Sequence, residues 1–314
     1  MNSTPKTPSL VVYTVLLGQK AELNTPPVSP NTDFVCLTDQ KDLIANGWEI
    51  KSIEPMFPDD IPRSSRHPKI NAHLYFNDYS RSIYIDSSVQ LLTDPESLWS
   101  ELVQSEEVVF GGIAHSFHVN MLEEVESVSA NGFETKDVIK TQLDFTLRTF
   151  KGYLSARPIW GGILARRHNE PDCRNVMELW FSLILQHSRR DQLSLPLALR
   201  GLRGHQIQVS YLNNLDSKFY KWPVGGYVRP SNYSYSRIKN LEIETLYLNQ
   251  TDHLSINSVT AQQHLQRANF ERDAISAERD AISAERDAII NTKVWRWTKG
   301  LRNLVFRLRT LFDS

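Results

Sequence analysis

Asp86-Ser87-Ser88 follows the β-branched and aromatic run Ser82-Ile83-Tyr84-Ile85, and Arg63, Arg66 and Lys69 precede it at three-residue spacing. A carboxylate at the C-terminal end of a strand lies where open α/β sheets bind ligands. Two carboxylates one residue apart can hold a divalent cation, Mn or Mg, that neutralises a diphosphate. Asp86-Ser87-Ser88 is half of such an Asp-x-Asp element. With Ser88 in the second place, metal ligation through Asp86 is incomplete. Guanidinium groups pair bidentately with phosphate oxygens. Arg63, Arg66 and Lys69 can therefore supply the positive charge that a missing metal would have brought. The purely structural alternative makes Asp86 a turn cap and the three cations a solvated loop.

A second element is Ser188-Arg189-Arg190-Asp191-Gln192-Leu193-Ser194, at the junction of an apolar helix and the next one. A carboxylate held there beside an amide can orient a hydroxyl and accept its proton, which makes Asp191 a candidate base and Gln192 its neighbour on the acceptor side. An N-cap aspartate would look the same locally. Arg166-Arg167-His168-Asn169 ends a strand, where Arg167 and His168 can contact an acceptor or a phosphate, or a loop can simply satisfy the histidine. His115 and His118 are three apart but lack an adjacent carboxylate pair at metal-ligand spacing. No Gly-x-Gly-x-x-Gly, Walker A, Gly-x-Ser-x-Gly or His-Glu-x-x-His element is present.

The elements that must position these residues alternate between strand and connection. SLVVYTVLLG, DFVCLTD and WEIKSI read as three strands, with a proline-rich loop from Lys20 to Asn31 and a short helix from Lys41 to Asn46 between them. That rhythm predicts an α/β sheet. A helix from Pro68 to about Phe76 leads into the strand ending at Asp86, since proline suits a first helical turn. Asp94-Pro95 is a capped helix start. EVVFGGIAH is a strand, Met121 to Ala130 and Thr135 to Phe150 have helical spacing, and RPIWGGILARRH is a further strand. Asn175 to His187 is amphipathic, with Met177, Trp180, Phe181, Ile184 and Leu185 on one side. Arg190 to Leu199 holds another helix, interrupted by Pro196; HQIQVSYL is a late strand, and Lys218 to Asn240 is loop.

The 314 residues are enough for one large α/β domain with a sizeable core. Forty per cent hydrophobic and 23% charged is ordinary globular composition, and a net charge of -1 gives no bias toward nucleic acid. Cys36 and Cys173 are the only cysteines, too few for a disulfide framework or a zinc pattern, which predicts a reducing, cytoplasmic setting. From about residue 251 the character changes. ERDAISA recurs from Glu271, a seven-residue repeat whose seam is alanine, and a homodimer would face like charges across it, so residues 251–292 read as a solvated helical spacer. Residues 293–314 place Val294, Trp297, Leu301, Leu304 and Leu308 on one helical face and cations mostly elsewhere. Such a basic amphipathic helix predicts peripheral attachment to an anionic inner-membrane surface.

Taken together, VVYTVLLG, DFVCLTD, GWEI, RSSRHPKINAHLYF, SIYIDSSVQLLTDP, RRHN and SRRDQLSLP resemble a glycosyltransferase-like family. That family is found in plant mucilage-related proteins and bacterial polysaccharide loci. The pieces are scattered in family order over roughly residues 10 to 200. The resemblance implies a GT-A-like fold over residues 1–250, a nucleotide-sugar donor and a glycan or lipid-linked acceptor. It places Asp86 at the Asp-x-Asp position, with Arg63, Arg66, Lys69 and Ser88 on the donor side, and Asp191 near the acceptor. The incomplete Asp-x-Asp keeps a second class in view: a non-catalytic nucleotide- or glycan-binding scaffold in a polysaccharide assembly complex.

Overall fold

The computed structural model describes residues 9–18 and 22–224. The heptad repeat and the basic segment from Lys293, with the helical spacer and membrane attachment expected of them, lie outside the described residues. The α/β class expected from the sequence is the one the chain adopts. Strands β1 (Leu10–Leu16), β2 (Thr32–Thr38) and β3 (Glu49–Ser52) are followed by helix α1 (Ile61–Ile70), β4 (Arg81–Ile85), the short β5 (Gln90–Leu91) and α2 (Pro95–Leu102). Then come β6 (Phe110–Ala114), α3 (Met121–Ala130), α4 (Lys136–Thr149), β7 (Ile159–Arg166), α5 (Pro171–Gln186), α6 (Asp191–Leu199), β8 (Ile207–Ser210) and β9 (Tyr220–Lys221).

Seven strands form one sheet in the order β3-β2-β1-β4-β7-β6-β8, while β5 and β9 pair separately. β1 to β4 are mutually parallel, and β6 is parallel to β8. β7 runs against both of its neighbours. It is the antiparallel member of a sheet whose other strands all point the same way. The ends of β1, β4 and β6 that open toward the ligand edge therefore meet the beginning of β7, not its end.

β1 is buried along its whole length because helices cover both faces of the sheet. Its alternate residues divide between two cores. Val11, Tyr13 and Val15 join Ile70, Val176, Trp180, Leu195 and Ala198 beneath α1, α5 and α6. Leu10, Val12 and Leu16 join Ile83, Leu98, Trp99 and Leu102 beneath α2. Each large apolar side chain so enclosed contributes about 1.5–3 kcal/mol.

Several helix starts follow their sequence signals. Asp94 caps α2 by accepting from the Glu96 N–H at 3.2 Å, with Pro95 as the first helical residue. Asn120 and Thr135 cap α3 and α4. The helix before β4 begins earlier than expected. Asp60 caps it, accepting from Arg63 N at 3.1 Å, and Pro62 sits in its first turn, so Pro68 lies inside α1 and residues 72–74 form only a 3₁₀ turn. Lys41 to Asn46 forms turns instead of a helix. Asn46 and Gly47 take positive φ and swing the chain into β3. α6 runs on through Pro196 to Leu199. The loop expected from Lys218 begins instead with β9, which pairs with β5.

Candidate active site

Asp86 leaves β4 in a tight turn: its N–H donates to the Gly162 carbonyl of β7 at 2.9 Å, and its own carbonyl accepts from Val89 N at 2.8 Å. Ser88 is held from the C-terminal side, its Oγ accepting the Trp222 indole N–H at 3.0 Å. α1 brings Arg66 and Lys69 to the same place, and the first turn of α6 brings Asp191 and Gln192. These residues line a cleft of about 250 Å³ together with Trp160, Gly161 and Gly162 of β7, His115, His118, Glu124, Arg190 and Trp222. A roomier concavity of about 510 Å³ lies along residues 25–29 and the start of β2. Asp33 and Glu49 are its charged lining residues, with no cation to meet a phosphate, so the smaller charged cleft is the better candidate.

The floor of the cleft is an ion-pair cluster. Lys69 Nζ lies 2.6 Å from Asp191 Oδ2 and 3.8 Å from Asp86 Oδ1, and Arg66 Nε lies 3.4 Å from the same Asp191 oxygen. Asp191 is 3% exposed. Burial pushes its carboxyl up, but Arg66, Lys69 and Arg190 outweigh burial and hold it well below the usual carboxylate range. The Trp180 indole donates to the Asp191 carbonyl at 2.9 Å, which fixes the start of α6 to α5. Arg190 is the N-cap, without a side-chain cap bond, so Asp191 is the first helical residue and not the cap. The Tyr84 phenol donates to Asp86 Oδ1 at 2.6 Å; burial, then the Asp86 charge, raise its pKa well above the ordinary value, so it stays a donor. β7 must pass close beneath: a Cβ on Gly161 would lie 3.2 Å from Lys69 Nζ and 3.6 Å from Asp191 Oδ2.

Three residues expected here sit elsewhere. Arg63 turns away from the cleft, pairing with Asp60 and donating to the carbonyls of Ile184 (3.0 Å) and His187 (2.7 Å) at the end of α5. Successive residues on a helix rotate by about 100°, so Arg63 and Lys69, six apart, point about 120° away from each other. His168 is enclosed in the core with Nε2 2.8 Å from the Phe76 carbonyl, and burial lowers its pKa to about 4. Arg167 pairs with Glu106 at 2.9 Å and donates to the Val108 carbonyl. Both follow the C-terminal end of β7. Because β7 is antiparallel, that end lies at the sheet edge opposite Asp86, where Ser82 pairs with Arg166.

The cleft also contains residues that motif reading passed over. β6 is parallel to β4's direction, so its end delivers His115 to the ligand edge by the same rule that singled out Asp86. His118 and Glu124 follow from the loop and from α3, and Trp160 and Trp222 form an aromatic wall with centroids 5.2 Å apart.

At the Asp-x-Asp position the residues present do not fit a protein-held divalent cation. Asp86 supplies the one carboxylate; Oδ1 already accepts from Tyr84 and faces the Lys69 ammonium, and Ser88 Oγ accepts from Trp222. His115, His118 and Glu124 bring ligand atoms within 4.8 Å of one another, a spacing a cation tolerates. The hydrogen bonds of His115 speak against its joining one. His115 Nδ1 accepts from the N–H groups of Phe117 and His118, which leaves the proton of a neutral ring on Nε2, the atom nearer Glu124. A metal-ligating histidine does the reverse, donating from its outer nitrogen.

Three solved structures resemble this fold at low identity. A bifunctional glycosyltransferase, WbbM, matches at TM-score 0.41 and 11% identity over 67% of this chain and 40% of that one. Mouse xyloside xylosyltransferase 1 matches at TM-score 0.37 and 10% identity over 64% and 84%. The galactosyltransferase LgtC matches at 0.36 and 11% over 65% and 73%. In sequence, the probable hexosyltransferase MUCI70 of Arabidopsis thaliana is 25% identical over 153 residues, 47% of this chain, and the match spans 26% of that protein's length. The TOD1/MUCI70 glycosyltransferase-like domain model matches residues 33–219, which hold the strand-end carboxylate, the α1 cations and the α5–α6 junction, and the chain belongs to that family.

Proposed function

We propose that this chain is a glycosyltransferase that moves a hexose or related sugar from a nucleoside diphosphate to a hydroxyl of a glycan or lipid-linked acceptor. The observation that carries the reading is the unspent donors of Lys69. An ammonium has three donors, and Lys69 makes one short contact, to Asp191, while Asp86 stands too far for a hydrogen bond. With Arg66 beside it, the group presents positive charge and free donors to the cleft. A diphosphate leaving group needs that charge as its bond to the sugar breaks. Asp191 then acts as the fixed counter-ion that holds both cations in place. Its depressed basicity and its short contact with Lys69 oppose the role of base. The Trp160–Trp222 wall offers apolar faces to a sugar or a base.

Work in surface polysaccharide synthesis, beside the cytoplasmic membrane through residues 293–314, extends this reading. It rests on the sequence of that segment alone. No helix among the described residues is long and apolar enough to cross a membrane. The lone Asp-x-Asp carboxylate favours a second reading, a non-catalytic nucleotide- or glycan-binding scaffold. A panel of uridine- and guanosine-diphosphate sugars separates the two. An enzyme releases nucleoside diphosphate from at least one of them, and does so in the presence of a chelator. A scaffold binds without release, and that result would sink the enzymatic reading.

A further inference from the structure

Resting on the glycosyl-transfer reading, we infer that His118, oriented by Glu124, is a specificity-determining residue whose Nε2 accepts a hydrogen bond from a hydroxyl of the bound sugar. Glu124 is 3% exposed, and its Oε2 accepts from His118 Nδ1 at 2.6 Å. Burial pushes the Glu124 carboxyl up, but the His118 hydrogen bond and the His115 charge pull it below its ordinary value, so it is ionised. An ionised carboxylate accepts and does not donate, which keeps the His118 proton on Nδ1. The lone pair is then on Nε2, an atom without a protein partner among the described residues, on a side chain that lines the cleft. The loop that carries the ring is tied down. His118 N donates to His115 Nδ1 at 3.1 Å, and the two rings stack at 4.4 Å with planes 3° apart. The buried Asn214 accepts from Ser116 N at 2.7 Å and donates to the Ala114 carbonyl at 3.0 Å.

A fixed lone pair reads one kind of chemistry. It takes an O–H and repels a group that can only accept, such as a fluorine or a carbonyl oxygen. A site built around a hydroxyl rejects the analogue lacking it, because its own polar atom is left unpaired. In the same cleft Arg66, Lys69 and Arg190 carry donors alone and suit the acceptor oxygens of a diphosphate. His118 supplies the opposite polarity, so it sorts hydroxyls where the cations sort phosphates. The hydroxyl keeps its proton, and the bond is made equally before and during transfer. Such uniform binding shows in KM and not in kcat. The hydroxyl belongs to the transferred hexose or to the acceptor, and the two arms of the test separate these sources.

The test uses the full chain and the uridine- or guanosine-diphosphate hexose from which wild type releases nucleoside diphosphate, with methyl glycosides as acceptors. One arm replaces each hydroxyl of the donor hexose in turn by hydrogen or fluorine; the other does so on the methyl glycoside. In wild type, one position in one arm is expected to raise KM by about 5- to 100-fold on losing its hydroxyl, with fluorine worse than hydrogen there. In His118→Ala the KM of the parent compound rises by a similar factor, kcat stays within about threefold, and hydroxyl, hydrogen and fluorine at that position become equivalent. Comparing the variants cancels the fluorine's own effect on the reacting carbon. Glu124→Gln keeps the shape of the pair but frees the His118 tautomer, so fluorine becomes tolerated. Long-range nitrogen–proton spectra show His118 as Nδ1–H in wild type and as a mixture in Glu124→Gln; the wild-type readings stand even where the alanine variant folds poorly. No such position in either arm, penalties in His118→Ala equal to those of wild type, kcat lost at unchanged KM, an Nε2–H tautomer in wild type, or a stoichiometric metal ion lost with His118 would each overturn the assignment. Wild type that releases nothing from any donor overturns the glycosyl-transfer reading, and this assignment with it.

Discussion

At the beginning of β7 a lysine and an arginine pair with a buried aspartate on the floor of an open cleft; at its end Arg166 lies fully buried among neutral acceptors. Arg166 donates to the carbonyls of Ile70 (2.7 Å) and Lys69 (2.9 Å) and to the Tyr13 hydroxyl. It is a cation at the C-terminus of α1, where the helix carbonyls favour positive charge. Both of its terminal nitrogens are consumed by fixed dipoles, and its Nε is shut in the core without a partner among the described residues. The cleft cluster is paired by charge on one side only, and keeps donors in reserve. Burial alone therefore does not separate a structural cation from a functional one. What separates them is whether the remaining donors have somewhere to go. Lys69 belongs to both clusters: its ammonium serves the cleft and its carbonyl serves Arg166.

The largest effect is expected at the enclosed end. Arg166→Met leaves the buried Ile70 carbonyl unpaired, at about 1–3 kcal/mol, and strips the Lys69 carbonyl, which keeps only the Tyr13 hydroxyl, of a charge-assisted bond worth about 1.5–3 kcal/mol, so unfolding in urea should show a loss of about 2.5–6 kcal/mol. A loss under about 1 kcal/mol would mean the enclosed cluster is no more structural than the cleft, and the comparison would fail.

The next effect is a pH dependence. Burial holds His168 at about 4, below the usual histidine value of about 6.5. The unfolded chain therefore binds the extra proton between those values, and stability falls as pH drops from about 6.5 to about 4, by up to about 3 kcal/mol. His168→Gln should flatten that window. Asp191 acts lower down. With its folded pKa depressed, its stabilisation is present above the unfolded value near 4 and is lost only as pH falls below it. Stability curves of His168→Gln and Asp191→Asn that differ from wild type in the same pH window would merge the two ends.

A smaller effect on stability, but a direct one on binding, is expected at Lys69. Lys69→Met removes a charge-assisted contact worth about 1.5–3 kcal/mol to a phosphate, so nucleoside diphosphate should bind about ten- to a hundredfold more weakly by calorimetry. Arg63→Ala, on the far side of α1, should leave that affinity unchanged. Equal losses in the two variants would put the diphosphate somewhere other than this cleft.

The smallest effect is Gly161→Ala, which crowds only the cleft end. Its Cβ asks Lys69 to give way by a few tenths of an ångström, at a cost of about 1 kcal/mol in melting experiments. A stabilised variant would show the Lys69–Asp191 pair to be looser than its 2.6 Å contact implies.

The parallel half of the sheet was legible because β1, β2 and β4 are continuous β-branched runs ending in turn or acidic residues, and Asp94-Pro95 announced α2 by its capping chemistry. Arg66, Lys69, Asp86, Ser88, Asp191 and Gln192 came from that half or from family motifs, and all line one cleft. The direction of β7 was not legible. A strand buried on both faces has the same apolar run whichever way it points, and that ambiguity misplaced Arg167 and His168. Arg63 lies apart because the three cations share one helix, on which residues six apart point about 120° away from each other. His115 and His118 are visible in the sequence as a weak pair, but the Glu124 partner of His118 is not, because the two are brought together by the loop between β6 and α3, six residues apart and without a recognised spacing. The end of β6 at His115 was the available signal.

The double allegiance of Lys69 has an evolutionary corollary. Its anchor is a main-chain carbonyl, which every residue type supplies, so a substitution at 69 inherits the attachment of α1 to Arg166 and Tyr13 unaltered. The charge shown to the ligand is thus decoupled from the scaffold that displays it. One codon can retune the leaving-group preference of this fold, or silence it into a pure binding module, with the buried Asp191, left to Arg66, the neighbour that must answer for the change.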